Sequence, residues 1–324
     1  MTVAAVIGAG AFGAALAAAL ADRGEVWLIG RDIAGWRAAR RPPRLPDLKL
    51  PEGVVLAEAL PPDLGSEVPV LMAVPMAATA AAVAAHGAHH GGRLGGRVLI
   101  ACAKGIDPQT GLGAGSLIGR LVPGSVPAVL TGPSFAADIA RGLPTALALA
   151  LGDAARAEAV QARLATPVLR IYRGTDLRGA ELGGALKNVV AIGAGLAIGA
   201  GMGESARAAL MTRGHAEMVR IAVASGARAA TLHGLAGLGD LVLTCTSAQS
   251  RNFAHGAAIG AGTLPAAGRT IEGIATAAAA VTLAERLGVR APVMGAVAAV
   301  LGGRATVAEA MAALMARPLR SEED

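Results

Sequence analysis

The first half of the chain switches between two hydrophobic periods. Short apolar runs at VAAVI (3–7), EVWLI (25–29), VVL (54–56), VPVLMAV (68–74) and RVLIACA (97–103) read as strands buried on both faces. Alanine-rich stretches at helical spacing lie between them, over residues 11–22, 33–41 and 76–86. A proline-rich surface loop is expected over 42–51, a Gly/His loop over 87–96, and further short strands at AVL (128–130), TALALAL (145–151) and PVLRIY (167–172). Strands alternating with helices at this spacing predict a doubly wound α/β domain with a parallel sheet, residues 1–175. After Thr175 the alternation stops. Residues 176–324 carry alanine, leucine and methionine at helical spacing between glycine-bearing turns, which predicts an all-α second domain with Asp176 as the N-cap of its first long helix. Two domains also suit 324 residues, since single cores seldom grow past about 250–300.

Composition narrows the function classes. Charged residues are 16% of the chain, but the apolarity is mostly alanine, and no apolar run reaches the roughly 18–20 residues of a membrane span. The longest, Val189 to Gly203, reads as a buried core helix. The apolar N-terminus lacks a basic leader region and is read as structure, which predicts a cytoplasmic protein. Cys102 and Cys245 have no metal-ligand spacing and predict buried free thiols. The net charge of +6 invites a nucleic-acid reading, but aromatics are 2% of residues and the arginines are scattered, so stacking platforms are lacking. The basic bias instead favours an anionic small substrate.

GAGAFG (8–13) follows the first strand directly and opens the first helix. Gly8 permits the tight turn, Gly10 lets backbone approach a pyrophosphate, and Gly13 lets helix and strand pack closely, so the first domain is a Rossmann-like dinucleotide-binding domain. At the end of the second strand the sequence is LIGRD (28–32), with Gly30 and Arg31 where an acid often holds a ribose hydroxyl. Arg31 suits a 2′-phosphate, so NADP(H) is preferred and NAD(H) remains open; the alternative leaves Arg31 solvated and gives the ribose to Asp32.

The chain has three lysines, Lys49, Lys104 and Lys187, against 26 arginines. Arginine is permanently charged, whereas a buried lysine can lose its proton, so two of these lysines are expected to serve amine chemistry. Reduction of a ketone by hydride needs a proton donor at the carbonyl oxygen, and Lys187, heading the apolar run 189–199, fits that role. In GLAGLGDLVLTCTSAQSRNF (234–253), Asp240 is placed to orient the lysine amine. The Thr246/Ser247 pair is read as a helix start whose N–H groups, with Arg251 and Asn252, suit an anion.

These segments resemble the bacterial-type NAD(P)-dependent glycerol-3-phosphate dehydrogenases. The resemblance is carried by GAGAFGAALA (8–17), CAKGI (102–106), GPSFA and ARGLPT (132–136, 140–145), LKNVVAIGAGL (186–196), ARAALMTRG and AEM (206–214, 216–218), GLGDLVLTCTS and QSRN (237–247, 249–252) and IEG (271–273). It implies reversible reduction of dihydroxyacetone phosphate to sn-glycerol 3-phosphate, supplying glycerophospholipid synthesis, with a homodimer as a candidate assembly. It also implies roles: Lys187 exchanges the proton, Lys104 is a second amine at the substrate and cofactor, and Asp240 joins the same polar cluster. Gly132, Ser134, Asn188 and Thr244 would meet substrate, and Ser250, Arg251 and Asn252 would grip its phosphate end. Ala11, Phe12, Arg31, Ala136, Arg251 and Glu272 would line the cofactor.

The chain departs from that pattern at Ala11, Phe12 and Ala14, where the family often carries Ser-Trp and a threonine, at Met76, where serine is common, and at His215, where leucine is usual. No metal site is expected: His86, at the end of the expected helix, and His89 and His90, in the expected loop, have no acidic or cysteine partners nearby. His233 reads as structural, Cys245 is not needed for hydride transfer, and the methionines at 202, 211, 218, 294, 311 and 315 read as core filler. The RSEED terminus reads as a frayed tail. Two other readings remain: a β-hydroxy-acid dehydrogenase of similar architecture, and a nucleotide-sensing protein without catalysis.

Overall fold

The computed structural model describes residues 1–89, 94–264 and 271–316. His90 and the adjoining glycines of the expected Gly/His loop, and the RSEED tail, lie outside the described residues.

The N-terminal half folds as one eight-stranded sheet: β1 (Thr2–Ile7), β2 (Glu25–Ile29), β3 (Val54–Ala57), β4 (Val70–Met72), β5 (Val98–Ala101), β6 (Val126–Thr131), β7 (Thr145–Leu151) and β8 (Leu169–Gly174), in the spatial order 3-2-1-4-5-6-7-8. Val6 pairs with Leu28 on one side and Leu71 on the other, in parallel register. The parallel sheet expected from the sequence holds with one exception, β7 running antiparallel to β6 with Thr131 opposite Ala148. Strand order reverses at β1/β4, which opens a crevice at the carboxyl ends of these strands.

Helices α1 (Ala11–Leu20), α2 (Thr79–His89), α3 (Ala114–Leu121), α4 (Ala136–Ala140) and α5 (Ala154–Leu164) cover the sheet. The last three were not expected. In α5 the signals were present: Asp153 accepts a hydrogen bond from Arg156 N at 3.0 Å as the N-cap, and Ala157, Val160 and Leu164 form its buried stripe. The helix expected over 33–41 is a single 3₁₀ turn, Ala34–Trp36, followed by turns. Arg40 there takes φ of +52° and sends its guanidinium to the carbonyls of Leu50 (3.2 Å), Pro51 and Val54 (2.7 Å), satisfying a proline-rich loop that a continued helix would leave unbonded.

The chain then becomes helical: α6 (Leu177–Gly199), α7 (Gly203–Ala224), α8 (Ala229–His233), α9 (Asp240–Cys245), α10 (Arg251–Gly260), α11 (Glu272–Arg286), α12 (Pro292–Leu301) and α13 (Val307–Met315). Asp176 caps α6 as expected, accepting from Gly179 N at 2.9 Å. Among the described residues α6 is the one helix long and apolar enough to cross a membrane, and 89% of its apolar window is buried inside the chain. It is the axle of the helical half, with α7, α9, α10, α11 and α12 packed around it. α10 lies against it backbone to backbone: a Cβ at Gly195 would fall 2.1 Å from the Phe253 carbonyl oxygen, and one at Gly256 2.1 Å from that of Ile192. The Glu181 carboxylate ties α6 to the sheet half by accepting from Ser116 N (2.6 Å) and Ser116 Oγ (2.8 Å) in α3.

Of the six methionines read as core filler, Met218 and Met294 are fully buried, whereas Met202, Met211 and Met311 are half-buried and Met315 is 80% exposed. Both cysteines are free and buried, and burial pushes each thiol up to about 12, which removes Cys245 as a nucleophile at neutral pH. The His215 and His233 rings pack against each other tilted by 50°, with centroids 5.2 Å apart, and His215 Nε2 lies 2.9 Å from the Leu232 carbonyl, in keeping with a structural role for His233.

Candidate active site

The glycine turn between β1 and α1 fits a dinucleotide. Gly8 has φ of +113°, and a Cβ there would lie 2.5 Å from the Ala73 carbonyl oxygen; at Gly13 it would lie 2.0 Å from the carbonyl oxygen of Gly8. Strand and helix are therefore as close as backbone allows. Gly10, the N-cap of α1, has no protein atom within 4 Å of its Cβ position and carries no side-chain cap, so the first-turn N–H groups open onto space where a pyrophosphate fits. Phe12 and Ala136 are half-buried on the apolar cluster beneath, α1 and α4 being neighbours. Ala11, the first residue of α1, leads from this turn.

At the end of β2, a side chain on Gly30 would meet the Ala9 Cβ at 2.6 Å. That is a steric reason for the missing acid at this position. Arg31 and Asp32, which follow, are both exposed. Glu272, at the start of α11, reaches the turn after β4 and accepts from Met76 N at 3.2 Å.

Across the crevice, two amines share one carboxylate. Lys187, in the middle of α6, donates to Asp240 Oδ1 at 2.9 Å and to Thr244 Oγ1 at 2.6 Å. Lys104, in the loop after β5, donates to Asp240 Oδ2 at 2.7 Å and to the Gly132 carbonyl at 3.0 Å. Asp240 is 1% exposed and Lys187 5%. A π-helical turn over Leu235–Gly239 leads into α9, and the one-turn spacing of Asp240 and Thr244 points both at Lys187. Thr244 Oγ1 accepts from the amine while donating to the Asp240 carbonyl at 2.6 Å.

The electrostatics follow from burial. Desolvation pushes Lys187 down, Asp240 opposes it and Lys104 adds to it, leaving the amine at about 8. Burial alone would raise Asp240, but the two ammoniums outweigh it and hold the carboxyl below its ordinary value. The site thus holds an amine near neutrality beside a fixed anion and a second cation, an arrangement suited to moving one proton.

Ser134 Oγ donates to the same Gly132 carbonyl at 3.0 Å, and Gly132 has φ of +130°, a backbone that glycine adopts freely. The helix start expected at Thr246/Ser247 is corrected: Thr246 ends α9, and α10 begins after Ser250, whose side chain accepts from Phe253 N at 3.2 Å. Ser250 won because it alone of these hydroxyls precedes a run that can continue as a helix on α6. Arg251 and Asn252 are the first two residues of α10, Arg251 exposed. Asn252 Nδ2 donates to Asn188 Oδ1 at 2.9 Å, which brings the start of α10 beside Lys187. Asn188 Nδ2 in turn donates to the Lys104 carbonyl at 2.9 Å. Sequence reasoning missed this link, whose ends lie 84 residues apart. A cavity of about 520 Å³ between α7 and α9, with Arg207, Met211 and Leu238 in its wall, includes Thr246 of the expected helix start but none of the expected catalytic, substrate or cofactor residues. Among the described residues no group of three His, Cys, Asp or Glu side chains could hold a metal ion.

Comparison with known proteins identifies the family. Residues 3–157 match the family model for the NAD-dependent glycerol-3-phosphate dehydrogenase N-terminus, and residues 176–312 that for its C-terminus. The chain is 54% identical to the glycerol-3-phosphate dehydrogenase (NAD(P)+) of Paracoccus denitrificans and 54% identical to that of Cereibacter sphaeroides, each alignment covering 98% of this chain and 99% of the relative. The crystal structure of glycerol-3-phosphate dehydrogenase from Coxiella burnetii superposes with a TM-score of 0.87 at 32% identity, over 97% of this chain and 98% of that one. With both halves matched, and amine, carboxylate and glycine turn arranged around one crevice, the chain belongs to the NAD-dependent glycerol-3-phosphate dehydrogenase family.

Proposed function

We propose that this chain catalyses the reversible NAD(P)H-dependent reduction of dihydroxyacetone phosphate to sn-glycerol 3-phosphate, feeding glycerophospholipid synthesis. The observation that carries the reading is the buried Lys187 amine, held by Asp240 and Thr244 and lowered to about 8. A bound reduced nicotinamide supplies the hydride. Lys187 Nζ gives its proton to the carbonyl oxygen as that oxygen becomes an alkoxide, and takes it back in the oxidative direction. Asp240 orients the amine, and Lys104 supplies a second positive charge toward the developing oxyanion. Gly132 and Ser134 border the substrate. Its phosphate is taken by the start of α10, where Ser250, Arg251 and Asn252 combine first-turn N–H groups with a guanidinium fork. Thr244 is held on Lys187, and Asn188 has its amide bonded on both sides.

Residues 1–175 serve as the nucleotide domain and 176–324 as the substrate domain. The dinucleotide would be held by Gly8, Gly10 and Gly13 with Ala11, Phe12, Ala136, Lys104, Arg251 and Glu272 around it, and Arg31 would favour NADP(H) by pairing a 2′-phosphate. We take the enzyme to be cytoplasmic, in keeping with its two free buried thiols, and to act as a homodimer. The test is NADPH oxidation with dihydroxyacetone phosphate beside a panel of keto acids. Turnover of dihydroxyacetone phosphate alone is expected; turnover of a keto acid alone would favour the β-hydroxy-acid reading. NADPH that raises Tm while no ketone is reduced would favour a sensor.

A further inference from the structure

A chain of side-chain amides crosses from the helical half to the sheet half beside the two amines. Gly273 N donates to Asn252 Oδ1 at 3.1 Å, Asn252 Nδ2 to Asn188 Oδ1 at 2.9 Å, and Asn188 Nδ2 to the Lys104 carbonyl oxygen at 2.9 Å. Gly273 is bonded covalently to Glu272, whose carboxylate accepts from Met76 N in the turn after β4. The chain therefore begins at a residue touching the nucleotide domain and ends on the main chain of the residue whose amine shares Asp240 with Lys187. Asn188 is 3% exposed. Its oxygen accepts inside the protein and its nitrogen donates inside the protein, so the amide is fixed in one orientation by its neighbours.

We propose that Asn188 is a positioning residue: with Asn252 it forms a two-amide relay that fixes the root of Lys104, and so keeps both lysine amines on the one Asp240 carboxylate. This rests on the amine chemistry proposed above and assigns Asn188 a part other than contact with substrate. Lys104 springs from a loop, and among the described residues its side chain is anchored at its tip by Asp240 and Gly132. A long flexible side chain held at its tip still wanders at its root unless the backbone is tied. The hydrogen bond from Asn188 to that backbone is the tie, and it comes from the helical residue next to Lys187, so the two amines are referred to the same rigid helix.

Loss of the tie has a directional electrostatic consequence. The charged and titratable groups acting on Lys187 are Asp240 and Cys245 from α9 and Lys104 from the loop after β5; Arg251 and Glu272 stand in the first turns of α10 and α11, which also pack on α6. When Lys104 moves off, its repulsion of the Lys187 charge weakens, Asp240 is left to Lys187, and water enters. All three changes favour the protonated amine, so Lys187 must titrate at higher pH.

With three lysines in the chain, selective ¹³C labelling of lysine gives a spectrum in which the Lys187 titration is read directly, without turnover. Asn188→Ala and the volume-keeping Asn188→Leu are compared with the unaltered chain, so that a folded variant is in hand if one fails. The expected result is an upward shift of the Lys187 titration by about half a pH unit or more, with kcat lowered about tenfold and KM for dihydroxyacetone phosphate within a few fold. An unshifted titration with a raised KM would make Asn188 a substrate ligand and overturn the proposal. An unshifted titration with only a lowered Tm would make it structural and overturn it equally. Since the titration needs no substrate, failure of the relay is separable from failure of the proposed reaction.

Discussion

Replacing Lys187 by methionine removes the amine while nearly keeping the volume of its stem. Lys187 is 5% exposed, and burial lowers its amine from an ordinary 10.5 to about 8. Displacement of that size means that holding the proton in the folded state costs on the order of 3 kcal/mol near neutrality. Asp240's attraction is already contained in that value, so the bond to Thr244 alone, about 1 kcal/mol net, stands against the cost. Asp240 keeps Lys104 at 2.7 Å in the variant, so no carboxylate is stranded. The amine is thus held at a net cost near neutral pH, and Tm of the variant should be unchanged or higher by a few degrees. Catalysis has no such compensation: a positioned general acid contributes about 10²–10⁴ in rate, so kcat should fall by at least ~10² with NADPH affinity within a few fold.

The pH dependence fixes the sign. Because the folded-state value of Lys187 is depressed, the unfolded chain binds more protons between about 8 and 10.5. Stability of the unaltered chain relative to Lys187→Met therefore rises through that window, by on the order of 2 kcal/mol from about pH 7 to about pH 10. In steady state, glycerol 3-phosphate oxidation, which needs the neutral amine, should rise through about pH 8, and ketone reduction, which needs the protonated amine, should fall through it. Urea denaturation at several pH values and the two rate profiles check both claims. Turnover unchanged in Lys187→Met would refute the proton-transfer assignment. A large fall in Tm alongside lost activity would refute the claim that Lys187 is held for chemistry at a cost to the fold.

Asp240→Asn should behave oppositely: a buried ammonium and a partly buried one lose their counter-ion, stability in urea falls by about 3 kcal/mol, and the Lys187 titration moves below about 8; unchanged stability would refute the shared-carboxylate account. Gly13→Ala drives a Cβ to 2.0 Å from a carbonyl oxygen and should lower both Tm and NADPH affinity, whereas Gly10→Ala, with open space at that Cβ, should weaken NADPH while leaving Tm within about 2 °C. Equal Tm losses in the two variants, by calorimetry, would refute the cradle geometry. Arg31→Ala should weaken NADPH about tenfold more than NADH in fluorescence titration, and equal weakening would refute the 2′-phosphate assignment.

What was legible in the sequence was local. GAGAFG, the strand TALALAL, which β7 matches residue for residue, and the Asp176 cap each state their structure within a few neighbouring residues. What was not legible needed a distant partner. Residues 33–41 carry a helical pattern, and the carbonyls that turn Arg40 away from it belong to residues 50, 51 and 54. The reversal of β7 against β6 leaves its apolar run unchanged, since a strand buried on both faces reads alike in either direction. Asp240 could be suspected of touching Lys187; that it also holds Lys104, 136 residues away, has no local signal.

Lysine scarcity was the one long-range clue that composition did carry, and the structure explains it. Lys49 is exposed, while Lys104 and Lys187 lie 2.7 and 2.9 Å from the two oxygens of a single buried carboxylate. Two guanidiniums would be a poor exchange there. Their planar forks each present a pair of donors to a carboxylate, so they would compete for both oxygens, and neither would give up a proton below about pH 12. Two compact ammoniums take one oxygen each and leave the amine of Lys187 close enough to neutrality to serve either direction of the reaction. Substitution of Lys187 by arginine therefore keeps the charge and removes the chemistry: Lys187→Arg should retain NADPH binding and lose kcat as far as Lys187→Met does. Activity retained in the arginine variant would show that positive charge alone suffices at this position.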